Sequence, residues 1–167
     1  MSKLPVRVLN RAGAERRTPL PGEVCISVFN PRQSPSQLEG WADVLRLGFH
    51  DTDRRGGGFT VMSLADADRV LAFCRQHRDA PLTVHCEFGA SRSVAIALFV
   101  ALWLQRPLLL LHDVLAPNPW VLRQLSVAAL YRGFRHLDFR LLSVALGDKC
   151  DLAPQVVPAA IAETFKH

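Results

Sequence analysis

The stretch from Leu82 to Gln105, LTVHCEFGASRSVAIALFVALWLQ, constrains the chain more than any other. LTVHC is a short apolar run that follows Pro81, and it reads as a fully buried strand. Ser91 to Gln105 reads as an apolar helix, and only Glu87, Phe88, Gly89 and Ala90 lie between the two. A buried strand that turns through a short glycine loop into a buried helix needs apolar partners on several sides. That requirement points to a sheet covered by helices.

The rest of the chain supplies those partners. PVRVLN, Glu23 to Asn30 (EVCISVFN) and Ala42 to Phe49 (ADVLRLGF) are short runs bounded by Pro, Gly and polar residues, which is how strands between turns look. His50 to Met62, HDTDRRGGGFTVM, carries three consecutive glycines and several charges, so it is expected to be an exposed loop. Ser63 with Asp66 forms a capping box, and Ala67, Val70, Leu71 and Cys74 follow at helical spacing up to about His77. Beyond Pro107, the segments LLLLHDVLA, PNPWVLRQLSVAALYRGF and HLDFRLLSVALGD all show helical periods, and the tail from Lys149 reads as a loop with a last short helix. Strands early and helices late predict an α/β fold: one domain over 1–167, with a central mixed, partly parallel sheet of four to five strands flanked by helices.

The 167 residues, 49% of them hydrophobic, suffice for one core and not for two. A net charge of +5 suits an acidic partner, but the basic residues are scattered, so no nucleic-acid partner is expected. The longest apolar run, Val94 to Leu104, is too short to span a bilayer, so no membrane span is expected either. The N-terminus lacks the apolar core of a signal peptide. Cys25, Cys74, Cys86 and Cys150 form neither C-x-x-C pairs nor a disulfide framework, and the histidines His50, His77, His112 and His136 lack metal spacing. Reduced thiols, a cytoplasmic location and no metal or cofactor are the expectations. Oligomeric state is left open.

The chemistry concentrates at Cys86. If the strand ends there and the helix begins at Ser91, the backbone N–H groups of Glu87, Phe88, Gly89, Ala90, Ser91 and Arg92 converge at the positive end of a helix, a natural seat for a phosphate dianion. Arg92 adds a planar fork of donors for two phosphate oxygens. The same field favours the thiolate of Cys86, the form that acts as a nucleophile. Gly89 lets the loop fold inward, Ser93 can donate a hydrogen bond to the sulfur, and His85 is expected to fix the loop by hydrogen bonding from the strand end.

HCEFGASRS matches every fixed position of HC-x-x-G-x-S-R-S, and on these residues the chain resembles the cysteine-dependent tyrosine phosphatases, most closely their dual-specificity branch. The resemblance spans about 24–125, leaving 135–167 as a C-terminal helical extension. It implies an aspartate general acid on a loop some thirty residues before the cysteine. GFHDTD offers Asp51 and Asp53, 35 and 33 positions upstream. Asp51, directly after the strand end, is the first choice, and Asp53 is the alternative. Downstream, APNPWVLRQL resembles the family's P-N-x-x-F-x-x-Q-L helix start, which makes Asn118 a loop-supporting residue.

The variable loop positions speak to substrate. Loops of this family that take phosphoinositides tend to carry lysines between the cysteine and the arginine, whereas Glu87, Phe88 and Ala90 add no positive charge. This favours a single phosphate ester on a phosphorylated protein, phosphotyrosine first and phosphoserine or phosphothreonine second, hydrolysed through a phosphocysteine. The alternatives are a phosphatase of phosphoinositides, RNA 5′ ends or small phosphorylated metabolites, and a non-catalytic phosphate-binding module. Phe88 departs from the small or acidic residue common at its position and is expected to reshape the pocket mouth. Arg54 and Arg55 read either as a solvated loop face or as a contact for an acidic substrate, and Trp41, Trp103 and Trp120 as packing residues.

Overall fold

In the computed structural model, which describes residues 4–110 and 116–132, five strands form one sheet. They are β1 (Val6–Asn10), β2 (Val24–Phe29), β3 (Asp43–Gly48), β4 (Leu82–Cys86) and β5 (Leu108–Leu109). Their order across the sheet is β3-β2-β4-β1-β5, and every pairing is parallel. The α/β sheet read from the sequence is there, and among the described residues it has no antiparallel member. Parallel neighbours need crossovers, and helices α1 (Arg11–Arg16), α2 (Leu64–Gln76) and α3 (Arg92–Leu104) lie on three of the four connections, with α4 (Pro119–Tyr131) the last element among the described residues.

Central β4 is buried along its whole length, as expected for a parallel strand covered on both faces. From α3, residues Arg92 to Leu102 are all buried, because the helix packs against β4, β1, β5 and α4. A helix apolar all round is stable only in such a setting. The Ser63–Asp66 capping box forms in full: the Ser63 hydroxyl accepts from the Asp66 amide at 3.1 Å, and the Asp66 carboxylate accepts from the Ser63 amide at 3.0 Å. Among the described residues no helix is long and apolar enough to cross a membrane.

Two local readings need correction or addition. Leu108 and Leu109, expected in a helix, instead form the edge strand β5, paired with Val6 and Arg7. The cause is tertiary. Buried Arg106 donates to the carbonyls of Leu4, Pro5 and Ala80, and the Pro107 carbonyl accepts from the Val6 amide at 2.8 Å, so the chain leaves α3 already laid beside β1. These fixed partners override the helical tendency of a leucine run. Helix α1 is an addition: Asn10 caps it, its side chain accepting from the Gly13 amide at 2.7 Å. The helical readings over 111–115 and 136–148, the tail from Lys149, Cys150, His112 and His136 lie outside the described residues.

Candidate active site

In a parallel sheet the strands' carboxyl ends open on one edge, and ligands bind there where the chain switches direction across the sheet. Here the switch lies at β4 and β1. From β1 the chain crosses to β2 on one side, and from β4 it crosses through α3 to β5 on the other. Cys86 is the last residue of β4, Asn10 the last of β1, and Asn30 and Phe49 directly follow β2 and β3. Four strand ends therefore face one position.

The loop from Glu87 to Ser91 is held inward by its neighbours at the end of β1 and the start of α1. The Arg11 amide donates to the Glu87 carbonyl at 3.2 Å, and the Arg11 guanidinium stands 3.8 Å from the Glu87 carboxylate. Gly89 has φ +68°, and a Cβ there would lie 2.8 Å from the Asn10 nitrogen and from the Leu9 carbonyl carbon and oxygen. The close approach requires glycine. Ala90 and Ser91 are half-buried, whereas Phe88 is 74% exposed and stands at the rim.

Helix α3 begins at Arg92 without a side-chain cap, since the Ser91 hydroxyl is turned to another partner. An uncapped helix start leaves amide donors for an anion. Cys86 is 2% exposed, and its Sγ lies 3.0 Å from the Oγ of buried Ser93, the second residue of the helix. The Arg92 side chain is buried and oriented by the sheet. Its Nη1 donates to Asn30 Oδ1 at 2.9 Å and to the Phe49 carbonyl at 2.7 Å, while its Nε has no hydrogen-bond partner. A buried guanidinium with one edge tied down and an Nε that makes no hydrogen bond is poised for an acceptor.

Asp51 reaches this position and Asp53 does not. Asp51 Oδ1 accepts from the Ser91 hydroxyl and from Asn118 Nδ2, both at 2.8 Å, and Oδ2 lies 3.9 Å from Arg92 Nε. Asp53 is a solvated carboxylate 3.7 Å from the exposed Arg54. Asn118 works twice. Its Oδ1 accepts from the Val121 amide as the cap of α4, and its Nδ2 also donates to the Thr52 carbonyl at 3.3 Å. Beside this group an open cavity of about 380 Å³ is lined by residues 51–53, Ser91 and 116–119.

The hydrogen bond expected from His85 to the loop is not made. Both ring nitrogens are buried without a partner at bonding geometry, and burial pushes the imidazole down to about 4, against a smaller opposing pull from the Cys86 backbone. The ring is therefore neutral at pH 7. Strand alternation explains its position, because residues i and i+1 point to opposite faces and His85 cannot share the face of Cys86. The other two described cysteines are free and buried, and burial pushes the Cys74 thiol up to about 12 and that of Cys25 higher still.

Asn30 and the Phe49 carbonyl, which orient Arg92, were not singled out in the sequence. The available signal was position: a polar residue at the carboxyl end of a parallel strand, as in VFN, is where such folds build sites. Ser91, a cradle residue by sequence, also holds Asp51 through its hydroxyl.

The chain has solved structural neighbours among the tyrosine phosphatases. A point variant of human DUSP28 matches with TM-score 0.43 and 21% identity, covering 66% of this chain and 77% of that one. Human DUSP28 itself matches with TM-score 0.40 and 14% identity over 96% and 90% of the two chains. OH1 from the Orf virus, described as a tyrosine phosphatase with triple substrate specificity, matches with TM-score 0.37 and 17% identity over 86% and 88%. No protein-family model matches the chain, and no curated protein does.

Proposed function

We propose that the chain is a cysteine-dependent phosphatase of the dual-specificity type, acting on a phosphorylated protein with phosphotyrosine as its first substrate class. The observation that carries this reading is the grouping of buried Cys86 at a strand end, Ser93 3.0 Å from its sulfur, and buried Arg92, whose Nε has no hydrogen-bond partner and stands 3.9 Å from the Asp51 carboxylate.

In the first step the Cys86 thiolate uses a lone pair to form the S–P bond while the ester P–O bond breaks. Arg92 and the loop amides hold the equatorial oxygens, where charge develops. The departing oxygen takes a proton from Asp51, an assistance worth roughly 10²- to 10⁴-fold. Ser91 and Asn118 occupy Oδ1, which leaves Oδ2 to carry the proton. In the second step water attacks phosphorus and gives a proton back to Asp51, and the S–P electron pair returns to sulfur. A hydrogen bond from Ser93 stabilises the thiolate as it leaves.

The substrate preference follows from the rim. Glu87 is paired with Arg11 and Phe88 is exposed, so the loop's variable side chains offer an aromatic surface rather than cations for further phosphates. Two free buried thiols fit a reducing, cytoplasmic location. The test is hydrolysis of an aryl phosphate by wild type and C86S without added metal, followed by a panel of phosphotyrosine peptides, phosphoinositides and 5′-phosphorylated RNA. Turnover lost in C86S and highest on phosphotyrosine supports the reading. Equal rates in the two proteins overturn the nucleophile, and a lipid or RNA preference overturns the substrate class.

A further inference from the structure

The loop that carries Asp51 runs from His50 to Met62 and is closed at its base by the His50 amide on the Thr60 carbonyl and the Thr60 amide on His50 Nδ1, at 2.8 and 3.0 Å. Its tip is Gly56, Gly57 and Gly58, all at positive φ, and a Cβ at Gly56 or Gly58 would meet nothing within 4 Å. The tip is tied within the loop, by the Phe59 amide on the Gly56 carbonyl at 3.2 Å and by the Phe59 ring against His50. Besides the Ser91 hydroxyl on Asp51, the loop rests on two residues of the α4 start. Asn118 takes its beginning, at Asp51 and Thr52. Trp120 takes its middle and its end: the Arg55 guanidinium lies over the indole at 5.0 Å from the ring centroid, and the indole Nε1 donates to the Met62 carbonyl at 2.9 Å.

We propose that Arg55 and Trp120 form a clasp that positions the general acid, holding the loop on α4 so that Asp51 stays over the Cys86 pocket. The inference rests on Asp51 being that acid. Arg55 is an exposed side chain whose removal touches no core residue, and Trp120 is half-buried against the core. Arg55 lies on the Trp120 ring and the indole bonds the Met62 carbonyl, so the proposed effect runs through the loop to the proton that Asp51 delivers.

Proton delivery can be separated from the rest of the reaction by the leaving group. An aryl phosphate whose phenol is as weak an acid as tyrosine needs the proton, whereas a nitrophenyl-type ester departs without it. The experiment compares kcat/KM on the two substrates for wild type, R55Q, R55K, W120F and D51N. R55Q lowers kcat/KM on the poor leaving group by about 2- to 5-fold, the size of one exposed cation–π contact, and leaves the good one unchanged. R55K, which keeps the cation, restores most of the loss. W120F keeps a ring face but loses the Nε1 donor and shows the same selectivity at about 3-fold or more. D51N shows the largest selective loss, and adding R55Q to D51N costs nothing further, because both act through one proton. If D51N is selective while R55Q and W120F lose both substrates equally or neither, the clasp is overturned and the acid stands. If D51N is itself unselective, the assignment of Asp51 fails and the clasp fails with it.

Discussion

Gly89→Ala tests the packing of the loop directly. Alanine at φ +68° costs about 1–2 kcal/mol from the clash of its Cβ with its own backbone. The same Cβ would stand 2.8 Å from three backbone atoms of Leu9 and Asn10. These residues are paired in register with His85 and Cys86, so they cannot retreat without opening the β1–β4 ladder. Overpacking of this kind adds roughly 1–3 kcal/mol, which brings the total to about 2–5 kcal/mol. The chain can meet the strain by losing that stability or by swinging the loop outward and losing the cradle. Gly22→Ala is the control, with φ +75° and nothing within 4 Å of the new Cβ, so it bears the conformational cost alone. Denaturant midpoints and aryl phosphate turnover are measured on both. G89A is expected to lose more stability than G22A, or at least about 10-fold in turnover at equal stability, since 1.4 kcal/mol misplaced at the cradle is tenfold in rate. Equal midpoints and equal turnover for the two variants would refute the close approach of the loop to β1.

Three further perturbations follow from named contacts. Ser93→Ala removes the hydroxyl 3.0 Å from the sulfur, and a charge-assisted hydrogen bond of about 1.5–3 kcal/mol implies phosphoenzyme breakdown slowed by roughly 10- to 100-fold, seen as a pre-steady-state burst. Asn118→Ala removes both the α4 cap and an anchor of Asp51; thermal unfolding should show a loss of about 1 kcal/mol, and turnover should fall more on poor leaving groups than on good ones. His85 gives a pH signature. Its imidazole is held at about 4 against an ordinary 6.5, so between these values the unfolded chain binds a proton that the folded chain does not. Stability therefore falls as pH drops through this window, by about 3 kcal/mol in full, and denaturant titrations of wild type against His85→Gln should show that slope only in wild type.

How far the sequence could be read depends on whether the deciding contacts are local. Leu82 to Cys86 and Arg92 to Leu104 were legible because each carries its own pattern, an apolar run and an apolar helix, with glycine where the chain turns. The α2 cap was legible for the same reason: Ser63 and Asp66 are three residues apart. Leu108–Leu109 was not, since its strand state is set by Arg106 bonding to Leu4 and Pro5, a hundred residues away. The orientation of Arg92 rests on Asn30 and Phe49, brought beside it by the order of parallel strands and not by spacing. Local reasoning also misjudged His85. Its place beside Cys86 in the chain suggested a shared hydrogen-bond network, whereas alternation along β4 turns the two side chains to opposite faces. Asp51 and Asp53, separated only by position along one loop in the sequence, are separated in space by what faces them: Ser91, Asn118 and Arg92 for one, solvent and Arg54 for the other.

The central claim is that Cys86 becomes phosphorylated during turnover. Acid quenching of wild type and C86S during reaction with an aryl phosphate, followed by peptide mapping by mass spectrometry, tests it directly. A phosphoryl group is expected on the peptide that contains Cys86, at the cysteine, in wild type, and none there in C86S. Hydrolysis by wild type with no phosphoryl group on Cys86 at any quench time, or hydrolysis at an unchanged rate in C86S, would contradict it.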